Sequence, residues 1–236
     1  MRLEVDISSK AFTNAAGERQ DVLRNIAFTL EPGEVGVFVG PSGCGKTTML
    51  RILTGLDHDY QGRVLRPEPL RIGMVFQEPR LLPWRSVEEN VRLAAPNADE
   101  ARLSALFDVL ELSEHRVHFP GELSLGLARR VALARALAVD PDFLILDEPL
   151  ASLDAALAAR LLGQIATLLE GRTTMTLLVT HNLDDAVRLG DRLFLLSARP
   201  ASILHAVPIA KPRSARSDAD ITEAKAALAR LCVANG

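Results

Sequence analysis

The residues with the most evident chemistry lie together in the run GPSGCGKTT, from Gly40 to Thr48. Gly40, Gly45, Lys46 and Thr47 fall on the spacing G-x-x-x-x-G-K-[ST], with Pro41, Ser42, Gly43 and Cys44 between the glycines and Thr48 just after. Glycines let consecutive backbone N–H groups curl around phosphate oxygens, and a helix that begins near Lys46 aims its positive end at them. Lys46 can reach the β and γ phosphates of a nucleoside triphosphate, and the Thr47 hydroxyl can ligate Mg²⁺. Cys44 reads as a small filler of a variable position. A second run, FLILDEP at Phe143 to Pro149, carries Asp147 to the carboxyl end of an apolar strand, the edge where open α/β sheets bind ligands. Asp147 there can support a Mg²⁺ shell, and Glu148 can accept a proton from an attacking water. An apolar run ending in Asp-Glu is also an ordinary strand end; its company with the glycine loop makes it specific.

These groups need elements to hold them. Leu3, Val5 and Ile7 alternate as in a half-buried strand, VLRNIAFTL reads as a second strand, and VGVFVG is a short continuous apolar run, the mark of a strand covered on both faces. It ends at Gly40, and KTTMLRILTGL then takes helical spacing with Met49, Leu50, Leu53 and Leu56 on one face. So the glycine cluster joins a buried strand to a helix. RIGMVFQ reads as a strand, followed by a proline-rich loop at Glu78 to Trp84 and helical patterns from Ser86 to Leu112. The remainder alternates: FLILDEP as a strand, a helix from Asp154 to Glu170, TMTLLVTH as a strand, a helix from Leu183 to Leu189, the strand RLFLLS, and a terminal helix over about 218–233. Alternation of this kind implies an α/β core with a mainly parallel sheet.

Composition narrows the classes. With 236 residues and 48% hydrophobic content the chain can bury a substantial core. Its 27 basic and 30 acidic residues leave a net charge of −3 without any long run of like charge, so no nucleic-acid partner is expected. Two cysteines, Cys44 and Cys232, fit a reducing, cytoplasmic setting. No stretch of 18 uncharged apolar residues occurs, so work at a membrane would require recruitment there.

Over nearly its whole length the chain resembles the nucleotide-binding subunit of an ATP-binding cassette (ABC) transporter. Beside the Walker A residues Gly40 to Thr48 and the Walker B residues Phe143 to Glu148 it shows Gln77 in VFQEP at the Q-loop position. LSLGL, Leu123 to Leu127, stands at the signature loop, SLD, Ser152 to Asp154, at the D-loop, and His181 in VTHN at the switch histidine. Nucleotide kinases and GTPases share only the first two elements. The resemblance implies one ABC ATPase domain over 1–236. Its fold would be a P-loop NTPase core with an N-terminal antiparallel β region (about 1–76 and 141–236) and an inserted helical subdomain (about 77–140). The implied ligands are ATP and Mg²⁺, with Thr47, Gln77 and Asp147 toward the metal and Glu148, His181, Gln77 and Lys46 as the catalytic group.

The resemblance also implies two copies closing head to tail over two ATP molecules, each γ-phosphate lying between Lys46 of one copy and Ser124 and Gly126 of the other. Leu125 and Leu127 replace the usual glycine and glutamine of that loop; Leu125 could impede close backbone approach, and Leu127 could simply pack. Phe12, 28 positions before the glycine loop, is the candidate to stack on adenine, with a core position as the even alternative. QEPRLLPWRSVEENV resembles importers of the nitrate, sulfonate and taurine type, where Leu81, Leu82 and Trp84 would seat a permease helix; Trp84 in the core is the other reading. The expected partners are transmembrane permease subunits and, through them, an extracytoplasmic substrate-binding protein. The expected location is the cytoplasmic face of the inner membrane, as a peripheral protein. A lipid-trafficking or export cassette shares every catalytic motif, and a soluble ABC ATPase of ribosomes or DNA is a more distant alternative.

Overall fold

The computed structural model describes residues 2–233. In chain order the elements are β1 (Leu3–Thr13), β2 (Arg19–Leu30), β3 (Val35–Val39), α1 (Lys46–Leu53), β4 (Gln61–Leu65), β5 (Ile72–Val75), α2 (Val87–Ala94), α3 (Glu100–Val109) and α4 (Leu125–Ala138). They continue with β6 (Phe143–Asp147), α5 (Ala155–Leu169), β7 (Met175–Thr180), α6 (Leu183–Leu189), β8 (Arg192–Leu196), β9 (Ile203–Pro208) and α7 (Asp218–Val233). The side chain of Cys232 lies outside the described residues. The chain is an α/β protein, and its contacts group into two compact units, Met1–Pro69 with Met175–Gly236, and Leu70–Thr174.

In the first unit β3 lies between β7 and β8, parallel to both, and β9 closes the edge antiparallel to β8. Strand β3 is buried at all five positions, which explains its unbroken apolar run. Phe28, Phe38 and Phe194 pack around it with ring centroids 5.2 to 5.5 Å apart. A separate three-stranded sheet, in the order β2-β1-β4, is antiparallel throughout. In the second unit β5 and β6 pair in parallel, and α2 and α3 both pack on α4.

One expectation is corrected here. Leu56 does not join the buried face of the first helix: α1 ends at Leu53, Gly55 takes φ +74° to turn the chain, and Leu56 is left 66% exposed. Met49, Leu50 and Leu53 are buried as expected. Strands β4 and β9 have no counterpart in the sequence reading, and the helical stretch 86–112 is broken into α2 and α3 by a loop whose Asp99 caps the second.

Candidate functional site

The first unit carries the glycine loop. Strand β3 delivers the chain to Gly40, and α1 starts at Lys46, so the loop is the crossing from buried strand to helix. Gly43 and Gly45 have φ of +75° and +130°, which side-chain-bearing residues rarely adopt, and a Cβ on Gly45 would meet Val22 and Leu23 at 3.0 Å. Gly45 is the N-cap of α1 and supplies no side-chain cap, so the N–H groups of the first helical turn are left for an outside acceptor. An anion is the natural acceptor at that position, and the cradle therefore fits a phosphate.

Lys46 is 7% exposed and donates to the carbonyls of Gly40 (2.8 Å) and Pro41 (2.9 Å), which stretches its ammonium back across the mouth of the loop. An ammonium has three donors, so one is left after these two bonds. Thr47 is exposed at the loop, whereas Cys44 is 2% exposed and packs inward as a filler. Pro41, Ser42 and Gly43 are exposed along the rim, and Thr48 is half-buried. Arg199, which the sequence reading missed, donates Nε and Nη2 to the Gly43 carbonyl at 3.1 and 2.8 Å and so fixes the outer edge of the loop. The turn holding it is tied down through Ser197 Oγ, which accepts from the Ser202 N–H at 2.9 Å.

Phe12 lies near the end of β1 and is 46% exposed, so it is not a core residue; the Lys10 ammonium sits 4.6 Å from its ring centroid. Lys10 is itself buried and paired with Asp57 at 3.0 Å, which anchors that contact. His181 follows directly on β7 and is exposed at the strand's carboxyl end. Next to it, Asn182 caps α6 by accepting from the Asp184 N–H at 2.9 Å. On the same helix Asp185 has its pKa pushed up to about 6, by burial first and then by the charge of Asp184, with His181, Arg188 and Lys225 opposing.

The second unit carries the remaining candidates, and α4 organises them. Ser124 is its N-cap, accepting from the Leu127 N–H at 3.3 Å, and the Ser124 carbonyl takes the Ala128 N–H at 2.9 Å. The N–H groups of Leu125 and Gly126 therefore stand outside the helix's own bonding. Gly126 is buried, and a Cβ there would meet the Leu157 Cδ2 at 2.5 Å, so any side chain at this position would have to displace that of Leu157 in α5. Leu125 is 45% exposed, and Leu127 is half-buried.

Further along α4, Arg129 reaches the turn after β6: Nη1 donates to the carbonyls of Glu148 (3.2 Å) and Pro149 (2.7 Å), and Nη2 donates to that of Ala151. Burial depresses its pKa. Arg135, near the helix end, donates to the carbonyls of Arg80 and Pro79, both at 2.8 Å, in the loop that follows Gln77. Neither arginine was singled out from the sequence, because their partners are main-chain oxygens about 20 and 55 residues away. Asn90, fully buried in α2, completes that loop by accepting from the Leu82 N–H and donating to the carbonyls of Leu82, Arg85 and Ser86.

The loop so held leaves Gln77 exposed and Trp84 71% exposed, with Leu81 and Leu82 half-buried; the core position for Trp84 is excluded. Asp147 ends β6 and Glu148 begins the following turn with φ +45°. Asp154 accepts from the Leu157 N–H at 2.9 Å and so caps α5. Among the described residues no group of three or more His, Cys, Asp or Glu could hold a metal ion. Mg²⁺ is usually bound through one or two carboxylates together with substrate phosphates, and Asp147 in the second unit and the Thr47 hydroxyl in the first each offer an oxygen ligand of the kind it takes. Also among the described residues, no helix is long and apolar enough to cross a membrane.

A buried parallel strand, a glycine loop and a helix in this order define the phosphate-binding class of α/β proteins. The chain belongs to the ABC transporter family, whose model matches residues 23–151. It is similar to the aliphatic sulfonates import ATP-binding protein SsuB 2 of Pseudomonas syringae pv. tomato, at 39% identity covering 88% of this chain and 87% of that one. It is also similar to SsuB of Bacillus subtilis (38%, covering 91% and 88%) and to SsuB 1 of Xanthomonas axonopodis pv. citri (41%, covering 89% and 87%). Among solved structures it is similar to a dimeric bacterial ABC transporter cassette, with a TM-score of 0.76 and 26% identity over 90% of this chain and all of that one. The dimeric post-hydrolysis state of that cassette, bound to ADP and Pi, matches with a TM-score of 0.75 at the same identity and coverage.

Proposed function

We propose that this chain is the ATP-hydrolysing subunit of a bacterial importer for aliphatic sulfonates, a single ATPase domain that works as a pair of copies on the cytoplasmic face of the membrane. The observation that carries the reading is the phosphate cradle ahead of α1, in a chain whose relatives are named as aliphatic sulfonate import ATP-binding proteins. Backbone N–H groups of the loop from Gly40 to Thr48 bind the phosphates, and Lys46 moves from the Gly40 and Pro41 carbonyls to the β and γ oxygens. Thr47, Gln77 and Asp147 would hold Mg²⁺, which would supply charge neutralisation on the phosphates. Glu148 takes the proton of the attacking water, and His181 hydrogen-bonds the γ-phosphate. Phe12 stacks on the adenine with the ring face away from Lys10.

The partner copy's signature loop completes each site. The Ser124 hydroxyl and the Gly126 N–H, at the positive end of α4, face the γ-phosphate held by the other copy's Lys46. Asp154 lies in the D-loop between the copies. Trp84, with Leu81 and Leu82, takes a helix of the permease, and the loop's fixed shape from Asn90 and Arg135 transmits the fit. The substrate-binding protein on the far side of the membrane presents the cargo. Two measurements test this. Purified chain should bind Mg-ATP, with Lys46→Ala weakening it at least about tenfold; vesicles holding the permease and this chain should accumulate alkanesulfonates in preference to nitrate. Failure to retain Mg-ATP removes the ATPase reading, and uptake of nitrate alone removes the cargo.

A further inference from the structure

We propose that Arg129 is a positioning residue for Glu148, fixing the backbone turn that aims the general base. The inference rests on the role given to Glu148 above. Glu148 has φ +45° and Ser152, four residues on, has φ +64°; both lie in the left-handed region that residues with a Cβ avoid. Between these two points the carbonyls of Glu148, Pro149 and Ala151 turn toward one guanidinium, that of Arg129, which is 5% exposed.

The geometry has a direct consequence for the carboxylate. In a regular strand Asp147 and Glu148 would project to opposite faces. A left-handed φ at Glu148 breaks that alternation, so its Cα–Cβ bond leaves along a direction the strand alone does not set. Strand β6 fixes the residue on its amino side. On its carboxyl side the peptide is planar, so holding the Glu148 carbonyl also holds ψ. Arg129 supplies that second hold.

The energetics point the same way. A buried guanidinium bonded to main-chain oxygens loses hydration that neutral dipoles replace only in part, and an apolar side chain would serve packing better. The guanidinium provides donors spread over two nitrogens in a rigid plane, which one lysine ammonium cannot match across three carbonyls. Arg129 also sits about 1.4 turns beyond Ser124, the cap of the same helix, so the signature loop and the base share one support.

Arg129→Lys keeps the charge and gives up the fork. Turnover at saturating ATP should fall about ten- to a hundredfold while the dissociation constant for Mg-ATP stays within about twofold. The deciding measurement repeats the substitution in a Glu148→Gln background. A residue that acts through Glu148 has little left to lose there, so the double variant should turn over at the Glu148→Gln rate. Arg129→Gln, which also donates hydrogen bonds, gives the same comparison should Arg129→Lys fail to fold. Unchanged turnover in a folded Arg129 variant, or its full penalty persisting beside Glu148→Gln, overturns the inference. Wild-type turnover in Glu148→Gln itself would overturn the assignment of the base, and this inference with it.

Discussion

Leu125 stands at the first position of α4, where the family's usual loop carries glycine. Its side chain is 45% exposed, and the two N–H groups left by the Ser124 cap belong to Leu125 and Gly126. A side chain one position later, at Gly126, would have to push the Leu157 side chain of α5 aside, but nothing comparable requires the Leu125 side chain. Leu125→Gly should therefore leave ATP turnover unchanged or raise it, and should lower thermal stability slightly, because glycine in a helix costs about 1 kcal/mol. A steady-state assay alongside a melting curve checks both. A turnover loss of tenfold or more would mean that this aliphatic group takes part in engaging the partner's nucleotide. Single residues of this kind were readable in sequence because their spacing is local. Arg129 and Arg199 were not, since each acts on a main-chain carbonyl that only the folded chain brings near, 19 to 22 and 156 residues away.

At the scale of elements, legibility follows burial. Strand β3 announced itself because both faces are covered, and β7 likewise. Strand β4 did not: its QGRVL is exposed or half-exposed throughout and shows no apolar period, so β1 recruits it by backbone pairing alone. Helix α6 makes a prediction about pH. The Asp185 carboxyl is pushed up to about 6, against 3.8 for a free side chain, by its partial burial first and then by the charge of Asp184; His181, Arg188 and Lys225 offset this only in part. The folded chain therefore holds this proton more tightly than the unfolded one. The stability associated with that proton is complete below about pH 3.8 and is lost as pH rises through about 6. Asp185→Asn removes the titration. Relative to the wild type, its melting temperature should rise by a few degrees between pH 4.5 and pH 7.5. Equal differences at the two pH values would show that Asp185 keeps an ordinary carboxylate's affinity.

For the whole molecule, the head-to-tail pair proposed above would make each site a shared one. A copy with Lys46→Ala has a damaged glycine loop and an intact signature loop; a copy with Ser124→Arg has the reverse. Either variant alone forms pairs in which both sites contain one defect. In a mixed pair the defects fall together in one site, and the other site receives Lys46 from one copy and Ser124 from its partner, both intact. Were each copy to work alone, mixing would restore nothing, since every copy still carries its own damage. Co-expressed copies bearing two different affinity tags allow the mixed pair to be isolated. Its ATP turnover should exceed that of either parent and approach about half of wild type, one good site in two. The two sites need not work independently, so a lower recovery still separates the cases, provided it stands clear of both parents. Turnover equal to the mean of the two single variants would show that Ser124 and Lys46 do not meet across the pair.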